Sequence, residues 1–259
     1  MTYFKPAVAA TVEVGEMVAG LRKSLNHFLQ KDQSAAAREA DLRAHTELVR
    51  RLNLAYPEVP VVSEEDGHHN VARPADYFLI DPIDGTSSWA GGFAGFVCQI
   101  ARIQNGIPVF GVVHAPILGR TWVAERGVGA FLNGAPMPRL KSDPLERIVV
   151  VDNYPVARGV SAELMEWLGN SSYLECGSIG LKASLVASGD ADLFVKDVLV
   201  RDWDVAPAIV LISEVGGFIA NPDGTTFQLS GPFDKPRGVI VARTRELGEA
   251  VASWIASRT

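Results

Sequence analysis

One short stretch of the chain carries residues whose types and spacing suit metal chemistry. It reads Asp81-Pro82-Ile83-Asp84-Gly85-Thr86, and proline and glycine turn the backbone. Both carboxylates and the Ile83 carbonyl can therefore point into one small volume. Carboxylates held so close repel one another unless a cation joins them. Because the motif contains no histidine or cysteine, its oxygen donors favour Mg²⁺ over zinc.

Two further acidic positions can contribute to the same site. Glu64 and Glu65 follow the apolar run over residues 59–62, and Asp204 stands at the predicted start of a helix, where the helix dipole favours a carboxylate. Taken singly, Glu64 fits a solvated acidic loop, Asp81 a turn-capping residue and Asp204 an N-cap. Their combination favours a metal site, with room for two ions if Glu64 takes part.

Short strands and helices must position these acids. Apolar residues recur at helical spacing between residues 40 and 56, which predicts an amphipathic helix that ends at Pro57. Strands over residues 59–62 and 77–80 would each deliver an acidic group at the strand end. An antiparallel meander is predicted over residues 96–134.

The hydrophobic period changes near residue 140, where strands and helices begin to alternate. We therefore expect a layered α and β architecture in two halves. Residues 1–140 would form an N-terminal α+β half that carries the metal-binding motif. Residues 141–259 would form a C-terminal α/β half that completes the active site.

The composition excludes several classes of protein. The chain has 259 residues, of which 47% are hydrophobic, enough to bury a sizeable core. Its formal net charge is −6 and it has no run of Lys or Arg, so nucleic acid is not expected as a partner. Cys98 and Cys176 form no C-x-x-C pair, which argues against structural zinc. We find no membrane-span pattern or signal peptide, so we expect a cytoplasmic protein without a membrane partner.

Taken together, the motifs resemble the inositol monophosphatase superfamily of Mg²⁺-dependent, lithium-sensitive phosphatases. The resemblance rests on residues 81–86 preceded by Glu64-Glu65, on Trp203-Asp204-Val205-Ala206 with Glu214-Val215-Gly216-Gly217, and on residues 127–134. It implies an α+β fold, a layered αβαβα sandwich, commonly as a homodimer. It also implies a small-molecule phosphate ester as substrate and two or three Mg²⁺ ions per site, with Mn²⁺ as a possible substitute and Li⁺ as an inhibitor.

The resemblance assigns roles to the residues at matching motif positions. The implied metal ligands are Glu64, Asp81, the Ile83 carbonyl, Asp84 and Asp204. Asp41, which alone would be a first-turn acid of a helix, lies 23 residues before Glu64 and would activate water with Thr86 as its hydroxyl partner. Glu64 would thus belong to both the metal-binding and the catalytic residues. The implied reaction is the in-line attack of water on the phosphorus. The backbone N–H groups of Gly85 and Thr86 would cradle the phosphate.

The segment before Asp41 departs from the superfamily pattern. Superfamily members typically have a mobile loop that reads Lys-x-Asp-x-Ser-Pro-Val-Thr-x-Ala-Asp, whereas residues 31–41 here read KDQSAAAREAD. Lys31 and Asp41 are kept, Gln33 replaces the loop aspartate, and the proline and threonine are absent. The sequence therefore predicts an altered loop, and both two and three ions per site stay open.

Two sets of residues point to different substrates. Residues 40–46 and 60–66, together with Gly177-Ser178 and Leu181-Lys182, are similar to bacterial 3′(2′),5′-bisphosphate nucleotidases. This similarity makes Ser178 and Lys182 candidate substrate contacts. A second phosphate could meet Lys182, Lys196 and Arg201, although each alone fits a solvated surface cation.

Asp197 favours another substrate class. It lies seven residues before Asp204, where inositol and histidinol phosphatases of the superfamily place an acid that binds a hydroxyl or amino group. We favour the nucleotidase and keep inositol-1-phosphatase or histidinol-phosphatase activity as the alternative.

Other function classes were weighed against the phosphatase. A serine hydrolase is disfavoured because no serine stands in G-x-S-x-G, and a P-loop kinase because no G-x-x-x-x-G-K-[ST] occurs. A noncatalytic relative that binds a protein or RNA partner stays open. The complete set of acidic residues argues against it.

Overall fold

The computed structural model describes residues 2–24, 32–67, 73–141 and 146–258. Within them, the α-helices are α1 Lys5–Ser24, α2 Gln33–Ala55, α3 Thr86–Gly91, α4 Val160–Leu168, α5 Ile179–Ala187, α6 Asp202–Val215 and α7 Arg245–Ala256. Short 3-10 helices span Glu64–Asp66 and Pro116–Leu118. Among these described helices, none combines the length and apolar character that crossing a membrane requires.

The strands form two main sheets. The first has the order β1 to β7, built from Val61–Ser63, Asp76–Asp84, Val97–Gln104, Ile107–Ala115, Arg120–Glu125, Gly129–Leu132 and Ala135–Pro136. The second consists of β8 Ile148–Asp152, β9 Ser171–Glu175, β10 Leu193–Lys196, β12 Phe218–Ala220 and β14 Val239–Ala242. Its strands lie in the order β12-β14-β10-β8-β9. A small ladder pairs β11 Val200–Arg201 with β13 Asp234–Lys235.

Helices and sheets alternate in five layers, which confirms the predicted αβαβα sandwich. Helices α1 and α2 cover one face of the first sheet over a core that includes Leu48 and Phe78. Helices α5 and α6 fill the middle layer between the sheets, where Trp203 is buried. Helices α4 and α7 cover the outer face of the second sheet around Leu164 and Val251. Each such buried side chain contributes roughly 1.5 to 3 kcal/mol.

The division of the two sheets follows the predicted change of pattern. The first sheet ends at Pro136 and the second begins at Ile148. Helices α5 and α6 nevertheless pack against the first sheet as well, since one core includes residues from both. The assignment of separate N-terminal and C-terminal halves at residue 140 stays a prediction.

The segment expected to be an altered loop is helical. Helix α2 begins at Gln33, seven residues earlier than predicted, and the Asp32 side chain caps it by accepting the Ala35 N–H at 3.0 Å. Residues 34–40 read SAAAREA, and alanine, arginine and glutamate are good helix formers. No proline interrupts them. The loop prediction is therefore wrong for residues 33–41, while Lys31 lies outside the described residues.

Strand β2 carries the metal-binding motif further than the sequence indicated. The predicted strand ends at residue 80, but β2 runs through Asp84 with an irregularity against β3 between Asp81 and Asp84. Such a bulge re-aims side chains without ending the strand. Strand β1 runs parallel to β2, so the acids at the ends of both strands meet at one edge of the sheet.

Candidate active site

Three carboxylates form a tight cluster where β2 meets the start of α6. Oxygen atoms of Asp81, Asp84 and Asp204 all lie within 4.8 Å of one another. Asp81 is 1% exposed, and among the described residues neither of its carboxylate oxygens has a hydrogen-bond partner. Burying an unpaired charge costs free energy. The cluster therefore fits a hard divalent cation with oxygen ligands, as the sequence predicted.

The pKa values of these acids follow from the same crowding. Burial raises the pKa of Asp81 well above its usual value, and the nearby charges of Glu64 and Asp84 raise it further. Burial, followed by the charge of Asp84, likewise raises the pKa of Asp204 and of Glu64. The site therefore favours either bound protons or bound cations.

Asp84 differs from Asp81 because the start of helix α5 contacts it. Its Oδ2 accepts the Gly180 N–H at 2.6 Å, and its Oδ1 accepts the Ile179 N–H at 3.3 Å. Burial raises the pKa of Asp84 to about 6, and the hydrogen bond from Gly180 opposes that rise. Asp84 thus joins the metal-binding motif to the middle helix layer.

Glu64 lies in the same cleft, at the first position of the 3-10 helix that follows β1. Ser63 and Asp66 close a capping box around this turn. The Glu64 carboxylate pairs with Arg201 at 3.5 Å. Glu64 therefore lies in the same cleft as the three-carboxylate cluster, and Arg201 partly balances its negative charge.

Asp41 reaches the site from helix α2 and contacts Thr86. The Asp41 side chain is buried, and burial, then the charges of Glu65 and Glu64, raise its pKa to about 8, while a hydrogen bond with Thr86 opposes the rise. The Thr86 hydroxyl oxygen also lies 3.0 Å from the Ile83 carbonyl oxygen, so its single proton can go to either acceptor. An acid with a pKa near the working pH suits proton transfer.

A cleft of about 590 Å³ opens over these groups. The predicted site residues that line it are Glu64, Asp81, Ile83, Asp84, Gly85, Thr86, Ser178, Lys182 and Asp204. Lys196 and Arg201 line it as well, so the cleft combines acidic and cationic side chains.

Gly85 must stay without a side chain at the edge of this cleft. Its φ is +93°, a conformation that favours glycine. A Cβ there would lie 2.9 Å from the Gly95 carbonyl oxygen and 3.0 Å from the Ser178 Cβ. A side chain at this position would therefore collide with the Gly95 backbone and with Ser178.

Asp197 is a predicted site residue that the structure places away from this cleft. It is exposed just after β10 and lines a separate cavity with Arg237 and Trp254. Successive residues of an extended chain point to opposite sides. Lys196 faces the cleft, so its neighbour Asp197 faces away from it.

Asn153 and Gln99 are among the polar residues beside the site that the sequence did not predict. Asn153 lines the cleft and accepts a hydrogen bond from the Lys182 ammonium at 3.3 Å. Gln99 is fully buried and donates to the Asp84 carboxylate at 3.3 Å. A single polar residue inside the apolar run Val97 to Ile100 was the available signal for Gln99.

Comparison with known proteins agrees with this geometry. The chain matches the family model of the inositol monophosphatase family over residues 2–258. It is 32% identical over 221 residues to the 3′(2′),5′-bisphosphate nucleotidase CysQ of Aggregatibacter actinomycetemcomitans, a match that covers 81% of each protein. It is 27% identical over 263 residues to inositol monophosphatase 1 of Homo sapiens, covering 96% of this chain and 92% of that protein.

A solved structure shows the same fold. Inositol monophosphatase-II of Staphylococcus aureus MSSA476 superposes with a TM-score of 0.82 at 23% identity, covering 97% of this chain and 94% of that one. The acid cluster lies where the shared motifs predicted it. The chain therefore belongs to the inositol monophosphatase family, and it is a phosphatase, a hydrolase of phosphoric monoesters.

Proposed function

We propose that the chain is a Mg²⁺-dependent phosphatase of nucleoside 3′(2′),5′-bisphosphates. The observation that carries this proposal is that one cleft combines the acidic cluster with three cationic side chains, Lys182, Lys196 and Arg201. The acidic cluster suits the metal and the phosphate to be cleaved, and the three cationic side chains suit a second phosphate. The 32% identity to the CysQ nucleotidase supports the same substrate class.

The residues that would hold the metal fit Mg²⁺. They are Asp81, Asp84 and Asp204, joined by Glu64 and the Ile83 carbonyl, and all of them offer the oxygen atoms that Mg²⁺ prefers. The buried Asp81 oxygens, without hydrogen-bond partners among the described residues, are the sharpest sign of this fit. When bound, the ions supply positive charge that stabilises the phosphoryl group in the transition state and acidifies the attacking water.

The chain's own groups would position and deprotonate the attacking water. The Thr86 hydroxyl contacts both Asp41 and the Ile83 carbonyl, so it can orient a water molecule toward the phosphorus. In its ionised form, the buried Asp41 carboxylate can take up the proton that this water loses. The backbone N–H groups of Gly85 and Thr86 would donate to the phosphate oxygens, and Ser178 lines the same cleft beside them.

Lys182 is the most buried of the three cations that would meet a second phosphate. It is 2% exposed, and its ammonium lies 3.6 Å from the Asp152 carboxylate. Burial lowers the pKa of Lys182, while the charge of Asp152 raises it. Such a desolvated cation interacts more strongly with an anion than a solvated one does.

Inositol 1-phosphate is the second candidate substrate. The match to human inositol monophosphatase 1 covers 96% of this chain and favours it, with histidinol phosphate as its close variant. Both substrates would use Asp197 for a hydroxyl or amino group, but Asp197 lines a different cavity. The nucleotidase proposal is therefore preferred.

A phosphate-release assay tests the proposal. We expect the highest kcat/KM on adenosine 3′,5′-bisphosphate, compared with inositol 1-phosphate, histidinol phosphate and fructose 1,6-bisphosphate. Activity should require Mg²⁺ and fall when Li⁺ is added. Equal or greater kcat/KM on inositol 1-phosphate would contradict the substrate assignment, and no release from any substrate would support the noncatalytic alternative.

Thr86→Ala should lower kcat much more than it changes KM. The hydroxyl that orients water is lost, whereas the backbone N–H at this position stays, and general base catalysis of this kind contributes about 10² to 10⁴-fold. Steady-state kinetics on adenosine 3′,5′-bisphosphate measure the effect. Ser87→Ala, at the neighbouring position in the same cleft, is the control and should leave kcat unchanged. An unchanged kcat in Thr86→Ala would remove the hydroxyl from this role.

Lys196→Met should weaken binding of the bisphosphate selectively. A charged hydrogen bond to a phosphate is lost, so we expect KM for adenosine 3′,5′-bisphosphate to rise about tenfold. KM for inositol 1-phosphate should stay nearly unchanged because that substrate has no second phosphate. Lys141→Met, at an exposed position, is the matched control. A similar rise in KM for both substrates would argue against a second phosphate at this wall.

A further inference from the structure

Gln99 is a buried amide that links two of the elements carrying the acid cluster. In the ladder between β2 and β3 it lies directly opposite Asp81, so both side chains share one face of the sheet. Its Nε2 donates to the Asp84 carboxylate at 3.3 Å and to the Trp203 carbonyl at 3.0 Å. One amide group therefore connects β3, the end of β2 and the first turn of α6.

The Trp203 carbonyl needs this donor because of a proline in helix α6. In an α-helix the carbonyl of residue i accepts the N–H of residue i+4, which for Trp203 is residue 207. Residue 207 is proline and has no N–H. The Gln99 amide supplies from strand β3 the hydrogen bond that the helix itself cannot make at this position.

Two glycines let the neighbouring elements pack closely against Pro207 and Gln99. A Cβ on Gly111 of β4 would lie 2.5 Å from the Pro207 carbonyl oxygen, and one on Gly180 of α5 would lie 2.1 Å from the Gln99 Oε1. Among the described residues, that Oε1 has no hydrogen-bond partner. Burying it costs free energy, so an amide here is hard to explain by packing alone.

We propose that Gln99 is a positioning residue of the metal site. By replacing the missing N–H of Pro207, it fixes the first turn of α6, which carries Asp204, and it holds that turn against Asp84. This inference rests on the proposed function, which takes Asp84 and Asp204 as metal ligands. Removing the hydrogen-bond partner of a metal ligand typically costs about 10 to 100-fold in metal affinity.

Calorimetric titration of Mg²⁺ into the full-length protein, without substrate, tests the proposal on four proteins. Gln99→Met removes the amide at nearly constant length, and we expect it to weaken Mg²⁺ binding by about tenfold or more. Pro207→Ala restores the helical N–H and should bind Mg²⁺ like the wild type. In the double variant, Pro207→Ala should recover several-fold of the affinity that Gln99→Met loses.

The same substitution at another glutamine of strand β3 shows whether the effect depends on the position of Gln99. Gln104 lies on the same strand, is exposed, and donates to Asp76 at 3.3 Å. Gln104→Met should leave Mg²⁺ affinity unchanged. Circular dichroism and thermal unfolding in EDTA report whether each variant is folded. If Gln99→Met does not fold, Gln99→Asn replaces it, because its amide is one methylene too short to reach both acceptors.

Two results would overturn the proposal. One is a folded Gln99 variant that binds Mg²⁺ like the wild type, and the other is a double variant that binds no better than the Gln99 variant alone. Both outcomes leave the proposed metal site intact if the wild type binds Mg²⁺. Failure of the wild type to bind Mg²⁺ would instead remove the metal site, and this inference with it.

Discussion

Replacing Asp81 by asparagine is expected to abolish phosphatase activity and, at the same time, to stabilise the metal-free protein. The Asp81 carboxylate is 1% exposed and, within the described parts of the chain, has no hydrogen-bond partner. Removing its charge relieves the cost of burying it. Because that charge would also hold the cation, kcat should fall on the order of 10³-fold or more.

Asp84→Asn is the matched control for the stability effect. It should also lose activity, but the metal-free protein should gain less stability than with Asp81→Asn, because Gly180 and Ile179 already donate to the Asp84 carboxylate. Phosphate release at saturating Mg²⁺ measures the activity, and thermal unfolding in EDTA measures the stability. An Asp81→Asn protein that turns over substrate normally, or that unfolds at a lower temperature than the wild type in EDTA, would refute this assignment.

The stability of the metal-free protein should fall as pH rises, and Mg²⁺ should remove that dependence. The pKa of Asp84 is raised to about 6 and that of Asp41 to about 8, from a usual value of 3.8. Between these values the folded protein binds more protons than the unfolded chain, so raising the pH favours unfolding. Each such acid contributes at most about 1.4 kcal/mol per pH unit.

Denaturant unfolding across this pH range, in EDTA and in Mg²⁺, measures the effect. In EDTA the free energy of unfolding should decline as pH rises above about 4, because Asp84 and Asp41 bind protons more tightly in the folded protein, as do Asp81, Asp204 and Glu64. Bound Mg²⁺ would offset the repulsion and flatten the curve. Asp41→Asn should make the decline toward pH 8 shallower. A metal-free protein that gains stability toward pH 8 would contradict the electrostatic account.

The acid cluster could be predicted from the sequence because its position depends on local rules. A proline and a glycine within the motif at residues 81–86 turn the chain, and strand ends of one sheet edge lie together. The presence of layered helices and strands also follows from the hydrophobic period, since helices and strands repeat every 3.6 and 2 residues, whereas the αβαβα order was implied by the family resemblance. These local rules cover the acids at the ends of β1 and β2, whereas Asp204 of α6 was assigned to the cluster by the family resemblance.

Other features depend on contacts that no local pattern encodes. Residues 33–41 form a helix, which their alanines favour. The resemblance to the family had instead suggested a loop there. Asp197 matched a motif spacing, but the side to which it points depends on where β10 ends. The link between Gln99 and the Trp203 carbonyl joins residues 104 positions apart. Such a pair becomes visible only when β3 and α6 are packed together.

The central claim is that acids from β2 and α6 hold divalent cations in the cleft. A crystal grown with Mn²⁺, which can stand in for Mg²⁺ and gives an anomalous signal, tests it most directly. The account predicts anomalous density among Asp81, Asp84 and Asp204, at about 2.0 to 2.3 Å from their oxygens. Density confined to other parts of the surface, with only water between these three carboxylates, would contradict it.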